Sequence, residues 1–256
     1  MDKSKRWLLE YLNSINWIIE ENSTLSYLKN IQYSVNNSYY RKKTLQIRKF
    51  LIFLKINWAN SISLPSEISN NTPKRVSVND IDDTLNYFNK NIYYKQIKAI
   101  IKLGISSGLR PQELYQLTID DINFDKRTVH INHNPQNGQS TKTKTSRISF
   151  FNIEAKDALK DYLRYFDSNE YLKVLFSQSH ITRLFKDAPI QVKDLRKYFS
   201  QEWDRRGGPT SIKKILMGHS LKGDVDLMHY NYQSEDDLKQ IYDKVMCNGS
   251  GHRNIV

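Results

Sequence analysis

Apolar residues over the first sixty positions recur at helical spacing. Trp7-Leu8-Leu9, Tyr11-Leu12 and Ile15 mark one helix. Leu45, Phe50, Leu51, Phe53 and Leu54 mark a second, ending near Trp58, with Arg41-Lys42-Lys43 in the link before it. Ser61 to Lys74 is polar, holds two prolines and has no period, which predicts a linker. Ser77-Val-Asn-Asp80 then caps a helix carrying Ile81, Leu85 and Phe88, and another follows over Tyr94 to Ser106. The period then changes. Thr128 to Ile131 and Arg147 to Phe150 alternate as strands, and helical spacing resumes at Ile153, with Ala158, Leu159, Tyr162 and Leu163 on one face.

This pattern predicts a mainly α protein with a small antiparallel β-sheet. A helical N-terminal domain over 1–64 and a linker over 65–75 precede a mixed α+β domain over 76–256. The chain of 256 residues carries a formal net charge of +12, and aromatics make up 12% of it. Such a balance suits a polyanionic partner, because neutralising phosphates releases counterions. Tyr39 and Tyr40 beside the Arg41-Lys42-Lys43 run mix aromatics and cations as nucleic-acid-contacting helices do, although a solvated helix face accounts for the charges equally well. Cys247 is the sole cysteine, so neither an intrachain disulfide nor a cysteine-based zinc site is expected. The N-terminus lacks the apolar stretch of a signal peptide and no run is long enough to span a bilayer, which predicts a cytoplasmic protein with no membrane partner.

Four short segments concentrate groups that bind or attack a phosphodiester. In Ser107-Gly108-Leu109-Arg110-Pro111-Gln112-Glu113-Leu114, Gly108 permits a turn and Pro111 fits the first turn of a new helix. Arg110 then stands at a helix N-terminus, where backbone N–H groups favour an anion and a guanidinium can grip two phosphate oxygens. A surface ion pair with Glu113 is the plainer alternative. Lys142 and Lys144 lie in a Thr/Lys-rich run between the two strands. Lys193-Asp194-Leu195-Arg196 precedes a helix bearing Phe199 and Trp203, with Asp194 a candidate cap. Leu216-Met217-Gly218-His219-Ser220 holds a lone histidine, and Tyr230 follows that histidine by eleven residues. Sixteen tyrosines make residue type uninformative, so position must select the nucleophile. No Gly-x-x-x-x-Gly-Lys loop or carboxylate triad is present, so neither a nucleotide nor a metal cofactor is expected.

In wording and order these segments resemble the tyrosine recombinases, the phage-type integrases. Ser-Gly-Leu-Arg-Pro-Gln-Glu-Leu is similar to the family's arginine segment, Leu-Met-Gly-His-Ser to its histidine turn, and Asp226-Leu-Met-His-Tyr230 to its nucleophile phrase. The resemblance spans about residues 5 to 245. It implies a core-binding domain followed by a catalytic domain, and a site-specific DNA recombinase that cuts and rejoins DNA through a 3′-phosphotyrosyl intermediate. By the same resemblance Arg110 and Arg196 clamp the scissile phosphate and Glu113 is structural. Lys142, with Lys144 as rival, protonates the leaving 5′ oxygen, His219 donates a hydrogen bond to the phosphate, and Tyr230, with Tyr232 as rival, attacks. Lys193 stands where histidine is commoner, which favours a fixed charge over a titrating base. Lys193 and the compact N-terminal segment resemble integrases of archaeal viruses and plasmids. The implied partner is double-stranded DNA, bound by a homo-tetramer on synapsed sites and by a monomer or weak oligomer otherwise. A type IB topoisomerase and a DNA-binding protein without catalysis are the alternatives.

Overall fold

Residues 19–66, 74–164, 174–219 and 233–247 are described in the computed structural model of the chain. Its contacts divide the chain into two units, 1–73 and 74–256. The expected first helix, with Trp7 and Tyr11, lies outside the described residues, as do Tyr230 and Tyr232.

In the first unit, α2 (Asn37–Phe53) packs on α1 (Glu21–Ser34) and on a short 3-10 segment, Asn57–Ser61. Leu28, Leu51, Ala59 and Ile62 form its buried centre. The Arg41-Lys42-Lys43 run is not a link. Asn36 accepts a hydrogen bond from the Tyr39 amide at 2.9 Å, and this cap starts α2 four residues ahead of the first cation. Periodicity missed that start because the first turns of α2 expose polar residues. The Arg41 guanidinium reaches the Pro65 carbonyl within the same unit.

The second unit is built around α4 (Tyr94–Ser107), whose Ile97, Ala99, Ile100, Ile101 and Leu103 are fully buried. Before it, α3 (Val78–Tyr87) starts at the Ser77–Asp80 capping box that the sequence predicts. After it come α5 (Pro111–Tyr115) and a three-stranded antiparallel sheet in the order β1 (Ile122–Asn123), β2 (Thr128–Ile131), β3 (Arg147–Phe150). The register pairs Thr128 with Phe150 and Ile131 with Arg147. Among the described residues five helices follow: α6 (Ile153–Leu163), α7 (Gln178–Leu184), α8 (Val192–Arg205), α9 (Thr210–Met217) and α10 (Glu235–Tyr242). A π-turn, Asp243–Cys247, closes the described chain.

Helix α4 packs against α6 and α8, so the main core surrounds it. A second cluster joins Phe150, Phe199, Trp203, Leu216 and Tyr242, bringing β3, α8, α9 and α10 to the C-terminal end of α4. Among the described residues no helix is long and apolar enough to cross a membrane.

Candidate phosphodiester site

The C-terminal end of an α-helix leaves carbonyls without intrahelical partners. At the end of α4 three consecutive carbonyls are taken by side chains from three elements. The Tyr242 hydroxyl of α10 donates to Ser106 O at 2.8 Å, and the Ser149 hydroxyl of β3 donates to Ser107 O at 2.7 Å. The Arg196 guanidinium of α8 donates through Nη1 to Gly108 O at 2.7 Å. Gly108 closes the helix in the left-handed region (φ +66°), against the Phe199 ring, where an added Cβ would come within 2.4 Å of a ring carbon. The turn sends the chain directly into Arg110 and α5.

Arg110 stands at the N-cap of α5, with Pro111 at the first helical position, as the sequence predicts. Its partner Glu113 is buried rather than on the surface: the carboxylate-bearing side chain is 2% exposed. Glu113 Oε2 accepts from the Arg110 amide at 2.7 Å and Oε1 from Arg110 Nη1 at 2.8 Å. A second cation shares the same carboxylate. Arg147, the first residue of β3, donates Nη1 to Oε1 at 2.9 Å and Nη2 to Oε2 at 2.7 Å, a bidentate fork. Burial alone would raise the Glu113 pKa, but the Arg147 fork and the Arg110 bonds outweigh it and hold the carboxyl below its ordinary range.

Helix α9 ends in a Schellman turn: the Gly218 amide bonds Ile215 O and the His219 amide bonds Lys214 O, both at 2.9 Å, with Gly218 at φ +63°. Two carbonyls of this turn point at the arginines. Arg147 Nε donates to Leu216 O at 3.0 Å, and Arg110 Nη2 donates to Gly218 O at 2.6 Å. The turn therefore delivers His219 beside the Arg110 and Arg147 guanidiniums. Burial, then the charges of Arg196, Arg110, Lys213 and Arg147, pull the His219 pKa below its usual value. Burial and the neighbouring Arg110 and Arg147 charges, partly offset by Glu113, lower Arg196 to about 10, so it remains a cation at neutral pH.

Of the six residues expected at the site, Arg110, Arg196 and His219 come together. Lys142 and Lys193 are both exposed, and no described side chain pairs with either. Lys142 lies in a loop closed at its base by Thr141, whose hydroxyl accepts from the Thr145 amide at 3.1 Å and donates to Thr145 O at 3.0 Å. Lys144 sits at positive φ within that loop. Tyr230 lies outside the described residues. Asp194 is a cap: it accepts from the Gln191 amide and pairs with Lys197 at 2.9 Å. Sequence reading missed Arg147. It opens a strand next to a lysine-rich run, and only the fold reveals its pairing with a carboxylate 34 positions earlier.

A cluster of three arginines and one histidine around a single buried carboxylate carries net positive charge and suits a phosphodiester. The phage integrase family profile matches residues 74–235, more than half of the chain. The chain belongs to this family and is a tyrosine recombinase of the site-specific class. It is 27% identical to tyrosine recombinase XerA of Saccharolobus solfataricus, over 82% of this chain and 71% of that protein. A probable integrase/recombinase of Acholeplasma phage L2 is 23% identical, over 86% of this chain and 70% of that protein. The fold is similar to that of XerH site-specific recombinase bound to palindromic difH substrate, with a TM-score of 0.56 at 15% identity, over 92% of this chain and 75% of that one.

Proposed function

We propose that this recombinase cuts and rejoins double-stranded DNA by transferring a DNA 3′ phosphate to Tyr230. Arg110 and Arg196 hold the non-bridging oxygens of the scissile phosphate, and His219 donates a hydrogen bond to the same group. Lys193 adds a fixed positive charge at its edge. The Tyr230 oxygen gives up its phenolic proton to solvent and forms the new bond to phosphorus while the bond to the 5′ oxygen breaks, and Lys142 supplies the proton that the departing oxygen takes up. The phosphotyrosyl bond conserves the energy of the broken phosphodiester, so a 5′ hydroxyl from another strand can reverse the step without a nucleotide. A phenol with a free pKa near 10 attacks poorly at neutral pH, and the positive cluster lowers that barrier by stabilising charge on the phosphorane.

What carries this reading is the convergence of Arg110, Arg196 and His219 at the C-terminal ends of α4 and α9. The similarly folded XerH site-specific recombinase, crystallised bound to its difH substrate, supports a DNA partner. We read the unit before residue 74 as a core-binding domain whose cationic α2 grips DNA, and the working assembly as four protomers on two duplexes in the compartment that holds host DNA.

The test is a library of nicked suicide duplexes with randomised half-sites. Wild type should form denaturant-resistant adducts and select a sequence, Tyr230→Phe should bind that sequence without forming adducts, and Tyr232→Phe should still form them. Adducts that persist in Y230F and vanish in Y232F would move the nucleophile. Binding with no adduct in wild type would favour a DNA-binding protein without catalysis.

A further inference from the structure

None of the proposed chemical steps uses Arg147, yet it is the most heavily engaged cation of the cluster. Three of its nitrogens are committed: Nη1 and Nη2 to Glu113, and Nε to Leu216 O. Its side chain is 10% exposed. It therefore has little to offer a phosphate directly.

We propose that Arg147 is a positioning residue for strand cleavage: it holds Glu113 and the 216–218 turn where they aim Arg110 and His219 at the phosphate. This inference rests on the function proposed above. Three observations carry it.

The first is the shared carboxylate. Each Glu113 oxygen accepts two bonds, one from Arg110 and one from Arg147, so the orientation of the carboxylate that sets Arg110 is itself set by Arg147. The second is the turn. Arg147 fixes the carbonyl of Leu216 and Arg110 fixes that of Gly218, on either side of Met217 and immediately before His219. The Arg147 guanidinium also lies against Gly218, where an added Cβ would sit 2.7 Å from both Cζ and Nε. Gly218 is thus needed twice, for its left-handed backbone and for the room that Arg147 occupies.

The third is charge. Glu113 would cancel Arg110 if the two stood alone. With Arg147 sharing the carboxylate, the trio keeps one net positive charge, to which Arg196 adds a second. Position matters too, because Arg147 opens the strand that returns from the Lys142 loop, five residues downstream of that lysine. One side chain thus ties the return strand of the hairpin to the Arg110 helix and the His219 turn.

Lysine cannot reproduce a bidentate fork plus an Nε bond, although it keeps the charge. Arg147→Lys should therefore fold and bind the selected duplex as wild type does, yet form adducts on the order of 10²-fold more slowly in single turnover, the scale of a small misplacement at a reacting centre. In the free protein it should displace the His219 ring resonances in NMR spectra. Wild-type rates in R147K, or losses that only track the bound fraction, overturn the proposal. A measurement on wild type covers the case in which R147K does not fold. When DNA binds, the Arg147 Nε–H resonance should hold its position while those of Arg110 and Arg196 move; an Arg147 signal moving with them makes it a phosphate ligand and overturns the proposal. If wild type forms no adduct with any duplex, the recombinase chemistry fails. The His219 resonances in free R147K then still decide, and unmoved signals overturn the positioning role.

Discussion

The Tyr242 hydroxyl donates to the Ser106 carbonyl at 2.8 Å, fastening α10 to the C-terminal end of α4. Tyr242 is fully buried, its ring packs against Phe150 and Trp203, and burial pushes its phenol well above the ordinary tyrosine range. Two further side chains hold the same region: Arg127 Nη2 donates to both Asp243 carboxylate oxygens at 2.8 Å, and Arg206 Nη1 donates to Met246 O at 2.9 Å. The chain on both sides of residues 220–232 is thus anchored on one catalytic unit.

Tyr242 should therefore be structural. Replacing it with Phe keeps the ring and removes one buried donor, leaving Ser106 O unsatisfied, at a cost of about 1–3 kcal/mol. Denaturant unfolding should report that loss at unchanged slope, while suicide-substrate adducts still form. Loss of adducts in folded Y242F would make this tyrosine part of the chemistry.

Glu113 is the carboxylate on which two guanidiniums depend. Glu113→Gln keeps the shape but leaves two buried cations sharing a neutral amide, so we expect a loss of about 3–5 kcal/mol, the scale for removing one partner of a buried pair. The pH dependence follows from the depressed carboxyl pKa. Glu113 contributes stability that is fully present above its ordinary value of 4.5 and is lost as pH falls through the lower folded value. E113Q should flatten that acid limb in thermal unfolding scans; an acid limb identical to wild type would mean that another carboxylate produces it.

How much of this was legible beforehand depends on the range of the interaction. The β2–β3 pair was readable because strand alternation is local, and both boundaries agree with the structure. The Arg110 N-cap was readable because Gly108 and Pro111 act within three residues of it. The Ser77 cap and the α6 face were readable for the same reason. The role of Glu113 as a shared carboxylate was not, because Arg147 is distant in sequence and looks like any strand-opening cation. The three capped carbonyls of α4 were equally hidden: Tyr242, Ser149 and Arg196 reach residues 106 to 108 from separations of 136, 42 and 88 positions. The start of α2 was missed because a capping asparagine outweighs hydrophobic period in fixing where a helix begins.

Gly218→Ala tests the histidine turn. The substitution forces a left-handed alanine and places a methyl within 2.7 Å of the Arg147 guanidinium. Backbone strain alone is about 1–3 kcal/mol at such positions. The expected result is lower thermal stability together with slower adduct formation at temperatures where the protein remains folded. Gly207, also at positive φ, has nothing within 4 Å of an added Cβ and provides the comparison. Gly207→Ala should carry backbone strain without a cleavage defect, and equal cleavage losses in both variants would deny the turn its special place.

His219 gives the site a proton linkage of definite sign. Burial and four surrounding cations depress its pKa below 6.5, so it is neutral in the free protein at physiological pH. Between the lowered folded value and 6.5 the unfolded chain holds more protons, so stability rises with pH through that window. A phosphodiester placed beside the same ring opposes those cations and raises its pKa. DNA binding should then take up a proton near and below pH 6.5, and affinity should increase as the pH falls through that range. Calorimetric titrations in buffers of different ionisation enthalpy measure this uptake directly. His219→Gln, which keeps a hydrogen-bond donor but cannot titrate, should lose most of it while still binding DNA. Undiminished uptake in H219Q would place the titrating group elsewhere and remove His219 from the phosphate.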